Sequence, residues 1–250
     1  MTPIEAIAIV AAGLAAGTIN TIVGSGSLIT FPALLALGYP ALTANVSNTV
    51  GLVPGSISGA IGYRRELVGQ RDRIVRLGLA GALGGLSGGL LLLVLPATAF
   101  ERVVPILILG ATLLVAIGPW LSRRMAARRA RGGGHGPALA ASVYATGIYG
   151  GYFGAAQGVI FIALLGVFVP DDIQRLNALK NVVAAFVNAV AAILFVFVAP
   201  VDPLVALLIA AGSIVGGQLG AALGRRLPAS GLRVVIIIVG TLVGVRMLLG

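Results

Sequence analysis

The feature that most constrains this chain is a long stretch without charge near its start. From Ala6 to Tyr63 there is no Asp, Glu, Lys or Arg. About 20 apolar residues are enough for a helix to cross the hydrocarbon core of a bilayer, so this stretch has room for two crossings. Only 10% of all residues are charged, against about a quarter in soluble domains. A soluble fold is therefore excluded.

Further uncharged runs follow, and their composition is that of membrane-spanning helices. They are continuously apolar and rich in Ala, Leu, Gly and Val, whereas the strands of a membrane barrel alternate in polarity. The N-terminus lacks a basic region and is interpreted as a retained first helix, because a cleaved signal would begin with one. The predicted fold class is an all-α polytopic membrane protein. The predicted crossings are 45–62, 77–95, 103–121, 177–198, 204–223 and 233–249.

The formal net charge of +10 comes from arginines that flank the apolar runs. Clusters in such positions stay in the cytoplasm and so fix the orientation of a membrane protein, and no aromatic residues join them to form a nucleic-acid face. A nucleic-acid partner is therefore not expected. The loop 64–76 carries Arg64, Arg65, Arg71, Arg73 and Arg76, and the segment 123–131 carries Arg123, Arg124, Arg128, Arg129 and Arg131. There is no cysteine, so disulfides and thiolate metal sites are excluded, and no cofactor is predicted.

The two halves of the chain match each other at a constant offset of 132 residues, which predicts an internal repeat. The matched pairs are Gly26 and Gly158, Asn45 and Asn177, Gly84 and Gly216, Gly85 and Gly217, Gly88 and Gly220, and the triplets Leu95–Ala97 and Leu227–Ala229. We interpret 1–122 as a first transmembrane repeat, 123–137 as a basic, Gly-rich cytoplasmic linker and 138–250 as a second transmembrane repeat. His135 is then a solvated linker residue rather than a ligand.

The charges of the loops predict that the two repeats are inverted relative to each other. The basic loop 64–76 corresponds to 199–204, which carries only Asp202, whereas the basic loop 224–233 corresponds to the outer turn 96–102. Corresponding loops are therefore expected on opposite sides of the membrane. The alternative is four plain crossings in each half, which places the arginines of 224–233 outside.

Inversion requires an odd number of crossings in each half, so the segments 4–37 and 138–168 must each begin and end on one side. Both contain a break where a hairpin tip fits, Gly24–Ser27 in the first and Gly154–Gly158 in the second. Each repeat is thus predicted to be a broken or re-entrant helical hairpin followed by three transmembrane helices. Such hairpins at matching positions of inverted repeats are typical of secondary transporters.

Polar residues inside the apolar segments are candidates for a substrate site. The run from Gly24 to Ser27 supplies clustered amides and two hydroxyls, and Ser27 is expected to cap a helix over 28–37; such helix starts bind anions. The same run also suits a close contact between two helices, and the residues alone do not decide between an anion site and a packing contact. The segment 45–49 and its counterpart around Asn177 add amides in both repeats.

Lys180 lies about one turn inside an otherwise apolar helix. An intramembrane lysine is commonly paired or functional, although near a helix end it can also extend to the headgroups. Asn188, two turns further on, either faces the same cavity or bonds to a neighbouring helix. No carboxylate lies inside a span to bind a cation, and no His or carboxylate is there to act as the base of an enzyme. The residues therefore favour a transporter of a small anion over an enzyme.

Three motifs resemble those of the TauE/SafE sulfite exporter family, also called the TSUP permeases. They are Gly17–Pro32, Ala44–Thr49 and Asn177–Asn181. The resemblance covers nearly the whole chain and implies transport of sulfite, thiosulfate, sulfonates or related small organic anions across the bacterial cytoplasmic membrane. It also favours the functional interpretation of Gly24–Ser27 and of Lys180. The second tip departs from the first, because Gln157 stands where Ser25 would fall.

We therefore predict a multi-pass protein of the bacterial inner membrane, a permease or exporter that carries a small sulfur oxyanion or organosulfonate such as sulfite by alternating access. An anion channel of similar architecture and a carrier of small organic carboxylates are the alternatives. The expected partners are the anionic substrate and membrane lipid, and a homo-oligomer is left open. The two hairpin tips are expected to meet. The residues predicted to bind substrate are Gly24, Ser25, Gly26, Ser27, Asn45, Asn48, Thr49, Gln157, Gly158, Asn177, Lys180 and Asn181.

Overall fold

The structure is a computed structural model that describes residues 1–129, 136–225 and 230–249. In those residues the chain forms ten α-helices and no β-strand, which confirms the prediction of an all-α fold. The helices are α1 (Pro3–Ile22), α2 (Ser27–Ala36), α3 (Ala41–Gly62), α4 (Arg71–Val94), α5 (Ala97–Arg129), α6 (Gly136–Tyr152), α7 (Gln157–Phe168), α8 (Ile173–Val198), α9 (Pro203–Gly224) and α10 (Ser230–Leu249). Several residues named above lie outside the described ones: 130–135 of the predicted linker, with Arg131 and His135, and 226–229, with the second Leu-Pro-Ala triplet.

Six of the described helices are long and apolar enough to cross a membrane, so the polytopic prediction is confirmed. They are Pro3–Ile22, Arg71–Val94, Ala97–Leu121, Ile173–Val198, Pro203–Gly224 and Ser230–Leu249. The set differs from the predicted crossings in one respect, because it includes α1 and omits α3. α3 has 22 residues, but it carries buried polar side chains such as Asn45, Ser47 and Asn48, which lower its mean hydropathy.

Each predicted Gly-rich break ends one helix and begins a shorter one, so both hairpins are present. The first tip is Val23–Gly26, between α1 and α2, and the second tip is Phe153–Ala156, between α6 and α7. Gly24 and Gly154 have left-handed backbones, with φ of 87° and 75°, a conformation that glycine adopts without steric strain. The amides of these two glycines donate to the carbonyls of Ile19 and Tyr149, five residues earlier in each case. The two tips thus begin alike, but they differ at the last residue, where Ala156 has a left-handed φ of 60° and Gly26 has a φ of −58°.

The repeat register differs from the gap-free alignment at the hairpins. α3 and α8 begin 132 residues apart, as do α4 and α9, but α2 and α7 begin only 130 residues apart. The difference arises because α7 has 12 residues and α2 has 10. Gln157 therefore occupies the position of Ser27, and the pairing of Gln157 with Ser25 was wrong.

The helices of the two halves interleave instead of forming two separate bodies. α1, α3 and α9 pack together in one group, the α9 bundle, and α4, α6 and α8 pack together in another, the α4 bundle. Each contact has a counterpart in which the halves are exchanged: α1 with α9 and α6 with α4, α3 with α9 and α8 with α4, α2 with α10 and α7 with α5. The helix contacts of the two halves therefore correspond when the halves are exchanged.

The glycines matched by the repeat lie where these helices cross. A Cβ atom added to Gly88 of α4 would lie 1.9 Å from the carbonyl oxygen of Ile148 in α6, and one added to Gly216 of α9 would lie 2.2 Å from that of Leu14 in α1. Small residues allow such close approach between membrane helices. The repeat in the sequence is therefore a repeat of helix contacts.

One end of the molecule, here called the basic end, joins loops that are far apart in sequence. Arg73 pairs with Asp171 at 2.6 Å, and Arg225 pairs with Glu66 at 2.7 Å. The hydrogen bond from Arg225 holds the pKa of the Glu66 carboxyl below its ordinary value. The connections α3–α4 and α7–α8 and the end of α9 therefore meet at this end.

Two loop predictions need correction. α4 begins at Arg71, so three of the arginines predicted in the loop 64–76 lie in the first two turns of that helix. The side-chain amide of Gln70 donates to the carbonyls of Glu66 and Arg175, which fixes the chain just before the helix starts. At the other end α5 begins at Ala97, so the predicted outer turn 96–102 is much shorter.

The glycine contact between α4 and α6 predicts a sharp dependence of stability on one methyl group. We expect Gly88→Ala to destabilise the protein by about 1–3 kcal/mol, because the new Cβ meets backbone that cannot move aside. Gly110→Ala is the matched control, since nothing lies within 4 Å of a Cβ at that helical position. Thermal unfolding of both variants in the same detergent measures the difference. Equal unfolding temperatures would contradict the close contact.

Candidate anion-binding site

The two hairpin tips meet inside the molecule, as predicted. The amide of Gly158, in the first turn of α7, donates to the carbonyl oxygen of Gly24 in the first tip at 3.0 Å. A Cβ atom on Gly24 would lie 2.4 Å from the Cα of Gly158, so neither position accepts a side chain without displacement. The glycines at the tips therefore permit a direct contact between backbones.

Lys180 is fully buried beside the first tip. α8 begins at Ile173, with Asp172 capping it through the amide of Gln174, and Lys180 lies two turns further on. Its relative exposure is 1%, so its side chain points into the bundle and does not extend to the headgroups. The ammonium group donates to the carbonyl oxygens of Asn20 at 3.2 Å and Thr21 at 3.1 Å.

The break after α1 is what makes those carbonyls accessible. In a continuing helix the carbonyl of Asn20 would accept from the amide of Gly24. The left-handed Gly24 instead directs its amide to Ile19, which leaves the last carbonyls of α1 free for other donors. Such carbonyls carry the negative end of the helix dipole and suit a cation. The charge of Lys180 is therefore compensated by a helix end, with no carboxylate at hydrogen-bonding distance among the described residues.

Two asparagines support the same helix end. The side-chain amides of Asn177 and Asn181, on the same face of α8 as Lys180, donate to the carbonyl oxygen of Thr21 at 3.3 and 3.2 Å. Lys180 is therefore one of three side chains of α8 that donate to the carbonyl of Thr21 at the end of α1. An ammonium group has three N–H donors, and two are used. The third is available to a ligand.

The equivalent place in the other half has one similar hydrogen bond but no charge. The side-chain amide of Asn45 in α3 donates at 3.1 Å to the carbonyl of Tyr152, the last residue of α6. Asn48 takes the position of Lys180 in the repeat, but it bonds to Thr30 and Ser27 of α2. Only the α8 side of this pseudo-symmetric pair carries a cation.

Ser27 has a different role from the predicted one. It is the first residue of α2, the preceding N-cap residue is Gly26, and no side chain caps the helix start. The hydroxyl of Ser27 instead accepts from the amide of Asn48 at 3.1 Å. Because α2 packs against α3, Asn48 lies within reach of the Ser27 hydroxyl. This hydrogen bond takes the place of the expected cap of α2.

The other predicted residues are buried near the tips. Thr49 donates to the carbonyl of Asn45 within its own helix. The amide of Gln157 donates to Asn188 at 2.8 Å, so Asn188 bonds to a neighbouring helix and not to an open cavity. Six buried side-chain oxygens have no hydrogen-bond partner in the described part of the chain, and three of them belong to predicted site residues: Ser25, Asn45 and Gln157.

A cavity of about 280 Å³ lies beside Lys180. Roughly 10–15 Å³ of such space holds one water, so a small hydrated ion fits easily. The walls come from six helices and the first tip. The lining residues are Ile22, Val23, Gly118, Pro119, Val159, Ile162, Ile173, Gln174, Asn177, Lys180, Gly224 and Arg233.

The chemistry of this cavity is that of an anion site. Its lining includes two cationic side chains, Lys180 and Arg233, and the amides of Gln174 and Asn177, but no carboxylate. The three ion pairs found among the described residues use other arginines, so neither cation of the cavity is neutralised by one of them. Guanidinium and ammonium groups both suit oxyanions, the former through paired N–H donors.

Of the twelve predicted site residues, Asn177 and Lys180 line this cavity. The other ten do not line it. Arg233 and Gln174 were missed as site residues. The signal for Arg233 was present, because it is an arginine at the start of an apolar run, but it was interpreted only as a mark of orientation.

Comparison with known proteins agrees with these features. The family model described as "Sulfite exporter TauE/SafE" matches residues 9–247. The chain is 26% identical to "Probable membrane transporter protein YfcA" of Escherichia coli over 93% of its own length and 86% of that protein. It is 30% identical to a "Probable membrane transporter protein" of Haemophilus influenzae over 84% of its own length and 81% of the relative.

A third relative, from a Sinorhizobium species, is also named a probable membrane transporter protein and is 26% identical over 95% of this chain and 90% of its own. No solved structure matches the chain. The family match extends through both hairpins and all six spanning helices apart from the first residues of α1 and the last of α10. The chain therefore belongs to the TauE/SafE sulfite exporter family, a family of membrane transporters and not of enzymes.

Proposed function

We propose that this protein is a secondary transporter that carries a small sulfur-containing oxyanion through the bacterial cytoplasmic membrane by alternating access. The observation that carries the proposal is the cavity with Lys180 and Arg233 in its wall and no carboxylate. It lies where the first tip meets α8, and it is lined by residues of both halves. A site at the junction of two repeats is the usual place for the substrate of a secondary transporter.

The substrate class rests on the chemistry of the walls together with the family description. The two cations and two amides suit the oxygens of sulfite or a sulfonate group. Apolar residues such as Val159, Ile162 and Ile173 suit the carbon part of an organosulfonate. Because a carboxylate presents similar oxygens, small organic carboxylates are the second candidate.

We expect sulfite to raise the unfolding temperature of the detergent-purified protein, because a ligand that binds only the folded state stabilises it. Arg233→Gln is expected to weaken sulfite binding about tenfold to a hundredfold, the range for losing one charged hydrogen bond. Lys180→Gln is expected to have a similar effect. A panel of sulfite, thiosulfate, sulfate, sulfoacetate, acetate and chloride at matched ionic strength measures selectivity.

Arg246→Gln is the matched control for that experiment. It removes the same charge from the same helix as Arg233, but from an exposed position that does not line the cavity. If Arg246→Gln weakens sulfite binding as much as Arg233→Gln, the effect is one of net charge and the cavity is not the site. If acetate binds more tightly than every sulfur anion, the substrate class is small organic carboxylates.

Alternating access is supported by how the two bundles meet. Within each bundle, glycine contacts bring helix backbones together and favour movement as a unit. Polar contacts cross from one bundle to the other, such as those from Lys180 of α8 to the end of α1 and from Asn45 of α3 to the end of α6. Rocking of one bundle against the other would change the access to a cavity at these contacts.

Counterflow distinguishes this cycle from an anion channel. We expect proteoliposomes preloaded with unlabelled sulfite to take up radiolabelled sulfite faster than empty ones, and the uptake to saturate with concentration. A carrier returns its loaded site across the membrane, so internal substrate accelerates exchange, whereas a channel has no such step. Uptake that rises linearly with concentration and is indifferent to preloading would support the channel.

The inverted arrangement of the two repeats, 1–122 and 138–250, belongs to the same proposal. Contacts at the basic end bring Glu66 of the α3–α4 connection to Arg225 at the end of α9. At the opposite end, the amide of Asp202 donates to Ser47 of α3. The arginines gathered at the basic end favour its cytoplasmic placement, with the basic linker on that side.

Cysteine labelling tests this orientation, since the chain has no cysteine of its own. We expect an impermeant maleimide added to spheroplasts to label Thr2→Cys and Thr98→Cys, and to label Val68→Cys and Ser230→Cys only after lysis. All four positions are exposed. Labelling of Ser230→Cys before lysis would support four plain crossings in each half.

A further inference from the structure

A second cavity, of about 450 Å³, lies at the basic end between the starts of α4 and α6 and the end of α7. It has no lining residue in common with the cavity beside Lys180. One part of its wall is basic, with Arg73 and Arg76. The rest is largely apolar and includes Leu77, Leu139 and Phe168. The cavity thus has a charged part and an apolar part.

Two positive features adjoin in the charged part. A guanidinium nitrogen of Arg76 lies 2.8 Å from where a Cβ atom of Gly136 would be, so it sits against the first residue of α6. The start of a helix carries a partial positive charge, which repels a cation. No ion pair of Arg76 is found among the described residues. The local charge therefore favours a bound anion.

The two acidic residues of the α7–α8 connection are already engaged, whereas Asp72, one turn before Arg76 on α4, makes no ion pair among the described residues. Asp171 pairs with Arg73 at 2.6 Å through one oxygen and with Arg175 at 2.7 Å through the other. Burial raises the pKa of Asp171, but the hydrogen bonds from these arginines outweigh it and hold the pKa below its ordinary value. Asp172 accepts from the amide of Gln174 at the start of α8. Asp171 is thus shared by two arginines, and Arg76 makes no ion pair with it.

The repeat shows that the fold does not require these arginines. α4 begins at Arg71 and α9 at Pro203, and this register places Val205 and Leu208 where Arg73 and Arg76 stand in the first half. The same architecture is thus built with apolar residues at the opposite end of the molecule. The basic pair is specific to the end where the other arginine clusters lie.

We propose that this cavity binds an anionic phospholipid. The phosphate of the lipid lies between Arg73, Arg76 and the start of α6. One of its acyl chains runs along Leu77, Leu139 and Phe168. Basic pockets between transmembrane helices at the cytoplasmic face recognise lipid headgroups in this way. A free anion would use only the charged part of the cavity, and the apolar wall beside it favours the lipid.

The test compares two lipids and one soluble headgroup on the delipidated full-length protein in detergent. The probes are phosphatidylglycerol, phosphatidylcholine with the same acyl chains, and glycerol 1-phosphate, each titrated by thermal shift. We expect phosphatidylglycerol to stabilise the protein at lower concentration than phosphatidylcholine, and glycerol 1-phosphate to have no effect at those concentrations. Arg76→Gln is expected to raise the half-saturating concentration of phosphatidylglycerol about fivefold, the factor for one basic residue near an anionic lipid surface.

Arg71→Gln is the matched control, because it removes an exposed charge from the same helix start without altering the cavity. Arg76→Lys keeps the charge and is expected to keep the preference for phosphatidylglycerol. Equal affinity for the two lipids, or equal weakening by Arg71→Gln and Arg76→Gln, would overturn the proposal. A shift with glycerol 1-phosphate that Arg76→Gln abolishes would also overturn it and identify a site for free anions.

Discussion

The bond between Lys180 and the last turn of α1 is the interaction on which the centre of this molecule depends. A buried ammonium group is costly in an apolar bundle unless hydrogen bonds and an opposite charge compensate it. Here the compensation comes from backbone carbonyls, which are available only because α1 breaks at Gly24. Gly24 of the first tip and Lys180 are 156 positions apart in sequence, but the contact requires both of them.

This form of compensation leaves the cation able to serve a ligand. A carboxylate partner would neutralise Lys180 and compete with any anion that enters the cavity. Carbonyls carry only partial charge, so a net positive potential persists at the cavity wall, and Arg233 adds to it. The opposite half shows what the fold does without this requirement, because Asn48 replaces the lysine and bonds to its own hairpin. Corresponding helices of the two halves thus make similar contacts, and single residue differences give the two halves different chemistry.

Much of this arrangement was predictable from the sequence, and the limits have physical reasons. Uncharged runs and arginine clusters located the helices, because burial in lipid acts residue by residue along the chain. The hairpin breaks were predictable because a left-handed turn in an apolar segment calls for glycine, as at Gly24 and Gly154. The hydrogen-bond partners were not predictable. Ser27 bonds to α3 instead of capping α2, and Arg233 joins Lys180 in one cavity, because both outcomes depend on how distant helices cross.

The same contacts suggest why an anion should matter to movement between the bundles. In the proposed cycle, the α9 bundle and the α4 bundle are each held by backbone contacts at glycines, which leave little room for sliding within a bundle. Between the bundles, Lys180 binds α1 through hydrogen bonds that an anion can compete for. A substrate oxygen that accepts the third N–H of the ammonium group would draw it toward the cavity and weaken its hold on Asn20 and Thr21. Binding energy would then be spent at the contact that has to loosen for the site to face the other side.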